Sequence, residues 1–232
     1  MSLINTTIGD SDVMKTLNIL GCVPELLNIL MEVAEDSLGV SKFRVLNNVD
    51  VAIGNSFKPL PHWDVQHYSK TDLINEIDDR ARFALCVTGQ ESKQLVFEHF
   101  REKFGLRHQQ FPNLIHSTSY ISPSVTLSQG LLMEPKSLIS ACSNIGFGVT
   151  VKRGCNVGHH AELDEFVTLN PGVVLSGNVQ IGARSMIGSG AVIKDGVKIG
   201  KNSLVGAGSV VLRDLPDNVV AFGNPCKVQK ER

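Results

Sequence analysis

The groups in this chain best suited to move a proton at neutral pH are seven histidines: His62, His67, His99, His108, His116, His159 and His160. An imidazole can take a proton from an attacking nucleophile and hand it to a leaving group. His159 and His160 are adjacent; two protonated rings side by side repel. A short way upstream stand Lys152 and Arg153, a cationic pair that would either meet an acidic ligand or coat a solvated face. The five cysteines (Cys22, Cys86, Cys142, Cys155, Cys226) are odd in number and lack CxxC spacing. They read as reduced, mostly buried thiols of a cytoplasmic protein, not as zinc ligands or disulfides.

The element that positions the histidine pair is a repeat. Steps of six from Ile115 land on Ile121, Leu127, Met133, Ile139, Ile145, Val151, Val157, Leu163, Leu169, Leu175, Ile181, Ile187, Ile193, Ile199, Val205 and Val211. All seventeen positions are aliphatic or Met. One hexapeptide makes a short flat strand and a corner; three close a triangular coil with the anchors stacked inside, so that each residue lies ~4.8 Å from the one a coil earlier. The residue after the anchor is often Gly (Gly146, Gly158, Gly182, Gly188, Gly200, Gly206), which suits a corner of positive φ. Four residues after the anchor come small or β-branched side chains such as Ser137, Ala161, Val173, Ala191 and Ser209. His159 falls in a corner, stacked between Ala141 and Gly177, two small neighbours that leave its ring accessible. A solvated corner histidine is the plain alternative. A zinc site would need three converging imidazoles; His116 falls on another corner, and the H-x4-H spacing is missing.

The first half has a different texture. Strands are expected at Thr16–Leu20, Phe43–Leu46, Val51–Ile53 and Phe83–Val87. Helices are expected from Pro24 to about Glu35, over Thr71–Asp78 and over Ser92–Phe104, the last with Leu95, Val96, Phe100 and Phe104 on one face. This β-α-β-β-α order predicts a small parallel sheet of Rossmann-like type. The chain therefore divides into an α/β domain over 14–108, an all-β parallel β-helix over 114–212 and a tail over 213–232. With 22 basic and 23 acidic residues, a nucleic-acid or polybasic membrane surface is not expected. No stretch approaches the roughly 18 apolar residues of a membrane span, and the N-terminus lacks the pattern of a secretory signal.

Four segments are sharper than the repeat: Val157-Gly158-His159, Asn170-Pro171-Gly172, Leu175-Ser176-Gly177-Asn178-Val179-Gln180-Ile181-Gly182 and Gly223-Asn224-Pro225-Cys226-Lys227. With them the chain resembles the hexapeptide-repeat acyltransferases over residues 14–230. More narrowly, it resembles bacterial sugar acetyltransferases that join an N-terminal Rossmann-like domain to the β-helix. That group includes sialic acid O-acetyltransferases and N-acetyltransferases of nucleotide-linked 4-amino-6-deoxy sugars.

The resemblance implies left-handed winding, a homotrimer with sites between chains, acetyl-CoA as co-substrate, and no metal. It implies His159 as general base, with His160 the alternative base. Relatives usually carry an acidic residue where this chain has His160, so His160 acts as a neutral partner or Glu162, Asp164 or Glu165 of this or a neighbouring chain substitutes. Thr168 stands where many relatives have a second histidine near the thioester. Acetyl-CoA is expected along Gly177, Ser189, Gly206 and Ala207, with its phosphates near Lys227. The nucleotide-sugar is expected between the domains, at the turn Gly21-Cys22-Val23 and near Lys152 and Arg153. The turn has one glycine where relatives have two or three. The activity implied is N-acetylation of a nucleotide-linked amino-deoxy sugar for bacterial surface glycan synthesis. O-acetylation of a sugar hydroxyl and a non-catalytic trimeric scaffold are the alternatives.

Overall fold

A computed structural model describes residues 15–48, 57–68, 78–89 and 91–232. The strand expected at 51–53 and nearly all of the helix expected at 71–78 lie outside the described residues. The N-terminal unit comprises β1 (Thr16–Leu20), α1 (Pro24–Leu38), β2 (Lys42–Leu46), β3 (Asp64–Tyr68), β4 (Arg82–Leu85) and α2 (Ser92–Phe104). Its four strands are parallel in the order β3-β2-β1-β4, the doubly wound arrangement in which the order reverses beside β1. The run Leu17–Leu20 is apolar but for Asn18 and buried throughout, because helices cover both faces of the sheet. Pro24 opens α1 where a missing N–H costs nothing, and Gly39 closes it in the left-handed conformation, donating to Glu35 C=O.

The buried face of α2 differs from the helical face expected. Leu95 is exposed, and Phe97 turns inward with Val96 and Phe100. Phe97 faces the second domain, where its ring centroid lies 4.9 Å from that of Phe147 and 6.1 Å from that of Phe166. His108 stacks on Phe147 at 3.8 Å.

From Leu114–Ile115 to Val210–Val211 the chain forms seventeen two-residue strands in three parallel sheets. Register runs from one coil to the next, Asn156 against Val174 and Val157 against Leu175. Every anchor from Met133 to Val211 is buried, each contributing about 1.5–3 kcal/mol through apolar burial. Buried serines among the small interior side chains satisfy their hydroxyls on neighbouring corners: Ser137 Oγ donates to Lys152 C=O at 3.0 Å and Ser143 Oγ to Gly158 C=O at 3.1 Å.

The corner glycines serve a purpose other than the one expected. Positive φ falls on the third residue after the anchor, where His160 (54°) and Gly154 (72°) alike adopt it. The glycine directly after the anchor is required by coil spacing. A Cβ on Gly158 would stand 2.5 Å from the Ser176 carbonyl carbon, and one on Gly146 2.7 Å from that of Asp164.

Residues beyond 212 add to the β-helix. Val219–Gly223 pairs parallel with Leu204–Val205, and Cys226–Glu231 folds back antiparallel on it, shielding the strand edge.

A buried ammonium ties the two domains. Lys93 of α2, 3% exposed, donates to Thr150 Oγ1 at 2.7 Å and to the carbonyls of Gly148 and Val167. Burial, reinforced by the Lys152 charge, pushes its pKa down to about 7. An unfolded lysine holds its proton to about pH 10. Between those values the unfolded chain binds more protons, so stability rises with pH from about 7 to about 10; below 7 both states are protonated and the group adds no slope. Urea unfolding should show the midpoint climbing from pH 7 to 9, and Lys93→Met should flatten that climb. An equal slope in the variant would show that Lys93 is not its source.

Candidate active site

Three edges run along the triangular prism. One carries Phe147, Glu165 and Ala183 at successive coils, a second Pro135, Arg153, Pro171, Ser189 and Ala207, and a third Ala141, His159, Gly177, Asp195 and Arg213. The N-terminal domain packs on the first edge and on the face between the first and second. There Phe97 meets Phe147, Lys93 meets Thr150, and Arg184 Nη1 donates to Gln94 Oε1 at 3.0 Å. The histidine pair stands alone on the third edge, so within one chain it is not in the cleft between the domains.

His159 and His160 are both exposed. Their Nδ1 atoms are 3.1 Å apart and the rings nearly perpendicular, at 87°. One Nδ1 of such a pair must donate and the other accept. In the tautomer where His159 donates, its Nε2 keeps a lone pair and can accept a proton. In that tautomer the His160 Nδ1 accepts the hydrogen bond that orients the His159 ring. Within one chain Glu162 and Asp164 line a groove of about 470 Å³ on the adjacent face with Gln180, Lys198 and Asp214. Neither they nor the exposed Glu165 hydrogen-bonds to His159.

The imidazole of His159 lies over Gly177, as the 18-residue stacking requires, and Asn178 N–H donates to His159 C=O at 2.8 Å. A Cβ on Gly177 would be 2.5 Å from His159 Cε1, 2.6 Å from Nε2 and 2.8 Å from Asp195 Oδ1. Among the described residues Gly177 N–H has no hydrogen-bond partner. An imidazole and a carboxylate therefore converge on one bare α-carbon. Sequence reading missed Asp195. The signal was there, because Asp195 stands two coils past His159 in the same column.

Other expected site residues are placed elsewhere. Ser189, Gly206 and Ala207 lie on the second edge, a full prism side away from Gly177, and Lys227 sits in the C-terminal hairpin opposite Phe222. A Cβ on Gly206 would meet Phe222 Cβ at 2.6 Å, a packing reason for that glycine. Thr168 is 3% exposed, on the face that α2 covers, and does not open onto a groove. Lys152 Nζ donates to Asn170 Oδ1 at 3.0 Å. Arg153 pairs with Glu134 at 3.1 Å and supplies the counter-charge for a fully buried carboxylate. Both cations thus have duties inside the chain, away from His159. In the turn after β1, Gly21 N–H is given to Leu46 C=O and Val23 N–H to Cys86 C=O, while Val87 Cγ1 fills the space a Gly21 Cβ would take. Two of the amides a phosphate would need are spent, and Glu25 puts a negative charge in the first helical turn. Burial pushes the neighbouring Cys22 thiol up and that of Cys86 to about 12, keeping both protonated. Among the described residues, no group of His, Cys, Asp and Glu is arranged to hold a metal, and no helix is long and apolar enough to cross a membrane.

Residues 178–213 match the family model described as bacterial transferase hexapeptide (six repeats). Repeat, fold and edge histidine are those of the hexapeptide-repeat transferases, which the chain resembles. Within that class its architecture is that of sugar acetyltransferases with an N-terminal Rossmann-like domain. The acetyltransferase domain of PglB from Neisseria gonorrhoeae, solved with acetyl coenzyme A, superposes with a TM-score of 0.78 at 28% identity, over 93% of this chain and 99% of that one. Perosamine N-acetyltransferase from Caulobacter crescentus, solved with CoA and GDP-perosamine, gives 0.73 at 26% identity, over 93% and 97%. A galactoside O-acetyltransferase of Lactococcus lactis is 48% identical over 80 residues, 34% of this chain and 30% of that protein. The chain thus spans less than a third of this curated relative's length.

Proposed function

We propose that this acyltransferase moves the acetyl group of acetyl-CoA to the amine of a nucleotide-linked amino sugar, with His159 as general base. The observation that carries the reading is His159 Nε2 held over bare Gly177, whose amide N–H has no partner among the described residues. The amine nitrogen attacks the thioester carbon while Nε2 takes its proton. Gly177 N–H stabilises the oxygen that becomes negative as the tetrahedral intermediate forms. Collapse breaks the C–S bond, and the imidazolium returns the proton to the departing sulfur. The products are an N-acetyl sugar and free CoA thiol. Both two-domain neighbours were solved with CoA or its acetyl ester, and one with an amino-sugar nucleotide. The five free cysteines suit a reducing cytoplasm.

Two neighbouring chains of a homotrimer would complete this site. Residues expected to hold CoA divide between the second and third edges of one prism, so a single CoA reaches both sets only where two chains meet. The face between those edges exposes Tyr120, Val174, Val192 and, at its end, Leu212, apolar side chains interrupted by Asn156 that suit a second copy. Sedimentation should give a trimer; a monomer would remove the composite site.

The test is CoA-thiol release with acetyl-CoA and a panel of UDP- and GDP-linked 4-amino-6-deoxy sugars, each beside its 4-hydroxy counterpart. Release only with the amines supports the reading. The lactococcal match favours a hydroxyl acceptor as second reading, and release with the hydroxyl sugars would establish it. Failure to bind acetyl-CoA by calorimetry would leave a scaffold.

A further inference from the structure

Asp195 stands where a carboxylate has no structural duty. Among the described residues it joins no ion pair and no hydrogen bond, although Lys194 precedes it and Arg213 lies one coil on. Its Oδ1 and the Nε2 of His159 instead converge on the same open ground, 2.8 Å and 2.6 Å from where a Gly177 Cβ would be. They come from coils on either side of Gly177 and can lean together only because the residue between them has no side chain. The other edges do not repeat this. On the second edge Arg153 and Ser189 are separated by Pro171, and on the first Phe147 and Ala183 by Glu165.

We infer that Asp195 is a specificity residue, whose carboxylate binds the protonated amine of the acceptor beside His159 and so selects amines over hydroxyls. The inference rests on the acetyl-transfer reading of the same site. A carboxylate left unpaired beside a neutral base is complementary to an ammonium, which gives each of them a hydrogen bond and gives the carboxylate its counter-charge. A hydroxyl supplies no charge and leaves Asp195 uncompensated. The amine enters with three protons and leaves as an amide with one. His159 takes the proton that ends on the CoA sulfur, and the other is released to solvent as the free amine forms. Asp195 holds the nitrogen through that loss, and the C–N bond forms as the C–S bond breaks.

Calorimetry on the trimer, saturated with CoA, with the same matched amine and hydroxyl nucleotide-sugars tests the inference. Wild type should bind the amine sugar roughly tenfold to a hundredfold more tightly. Asp195→Asn should abolish that preference while CoA affinity and melting temperature stay unchanged, and Asp195→Glu should restore part of it. In kinetics the loss should fall on the acceptor KM more than on kcat. Retention of the preference by Asp195→Asn, or its absence from wild type, would overturn the inference. The two readings separate cleanly. Amine preference without thiol release would sink acetyl transfer and leave Asp195 as an amine-binding residue. Thiol release with an intact preference in Asp195→Asn would do the reverse.

Discussion

His159→Ala is expected to lower kcat/KM for the amine acceptor by roughly 10²–10⁴-fold, the range a positioned general base contributes. The fold should not notice. His159 is exposed, and its contribution to the coil, a carbonyl accepting from Asn178 N–H, survives the substitution. The KM for acetyl-CoA should also hold, because the proposed thioester contact is the Gly177 amide. His160 needs a different variant. At φ 54° an alanine would be strained, whereas glycine removes the ring and accepts the backbone. His160→Gly should cost about tenfold, since it leaves His159 Nδ1 without its 3.1 Å partner and frees the ring to turn. Thiol-release rates of the two variants decide which ring is the base. If His160→Gly is the more damaging, the roles exchange.

The parts of the fold readable in advance are those set by a period. Anchors at every sixth residue fixed the coils, the 18-residue stacking and the neighbours of His159 without a long-range contact in hand, because a solenoid's contacts are translations along the sequence. Asp195 needed only the same rule carried one coil further. Contacts between the domains follow no period. Phe97 is buried and Leu95 exposed because Phe147 and Phe166 reach across to α2, and a helical wheel drawn on α2 alone cannot contain that information. Thr168 is buried for the same reason, since α2 covers its face. The three edges explain the rest. Ser189, Ala207 and Gly177 look equivalent as small corner residues, yet they lie on different corners of the triangle. Charge was misleading too. Lys152 and Arg153 read as ligands for an acid, and both have partners within the chain: the Glu134 carboxylate for Arg153, and the neutral Asn170 side-chain amide oxygen for Lys152.

Gly177→Ala should separate catalysis from folding more sharply than any other single methyl. The new Cβ would lie 2.5 Å from His159 Cε1 and 2.6 Å from Nε2, and both belong to the far end of an exposed side chain that can swing away. Gly177 is not among the residues of positive φ, so alanine suits its backbone. Reduced freedom of the unfolded chain would then offset much of the steric cost, by about 0.4–1 kcal/mol, and the melting temperature should stay within a few degrees, given about 2–4 °C per kcal/mol for a chain of this size. Activity should not stay. Turning the imidazole aside moves Nε2 by about 1 Å or more, and misplacement on that scale can cost on the order of 10²-fold. Gly158→Ala is the opposite control. Its Cβ would stand 2.5 Å from the Ser176 carbonyl, backbone that cannot yield without opening the coil, so this variant should lose stability first and activity only as a consequence. Melting curves and thiol-release rates on both proteins check the pair. A Gly177→Ala enzyme with near-native kcat/KM would mean that the acceptor does not approach over Gly177, and the base would have to be sought elsewhere on the third edge.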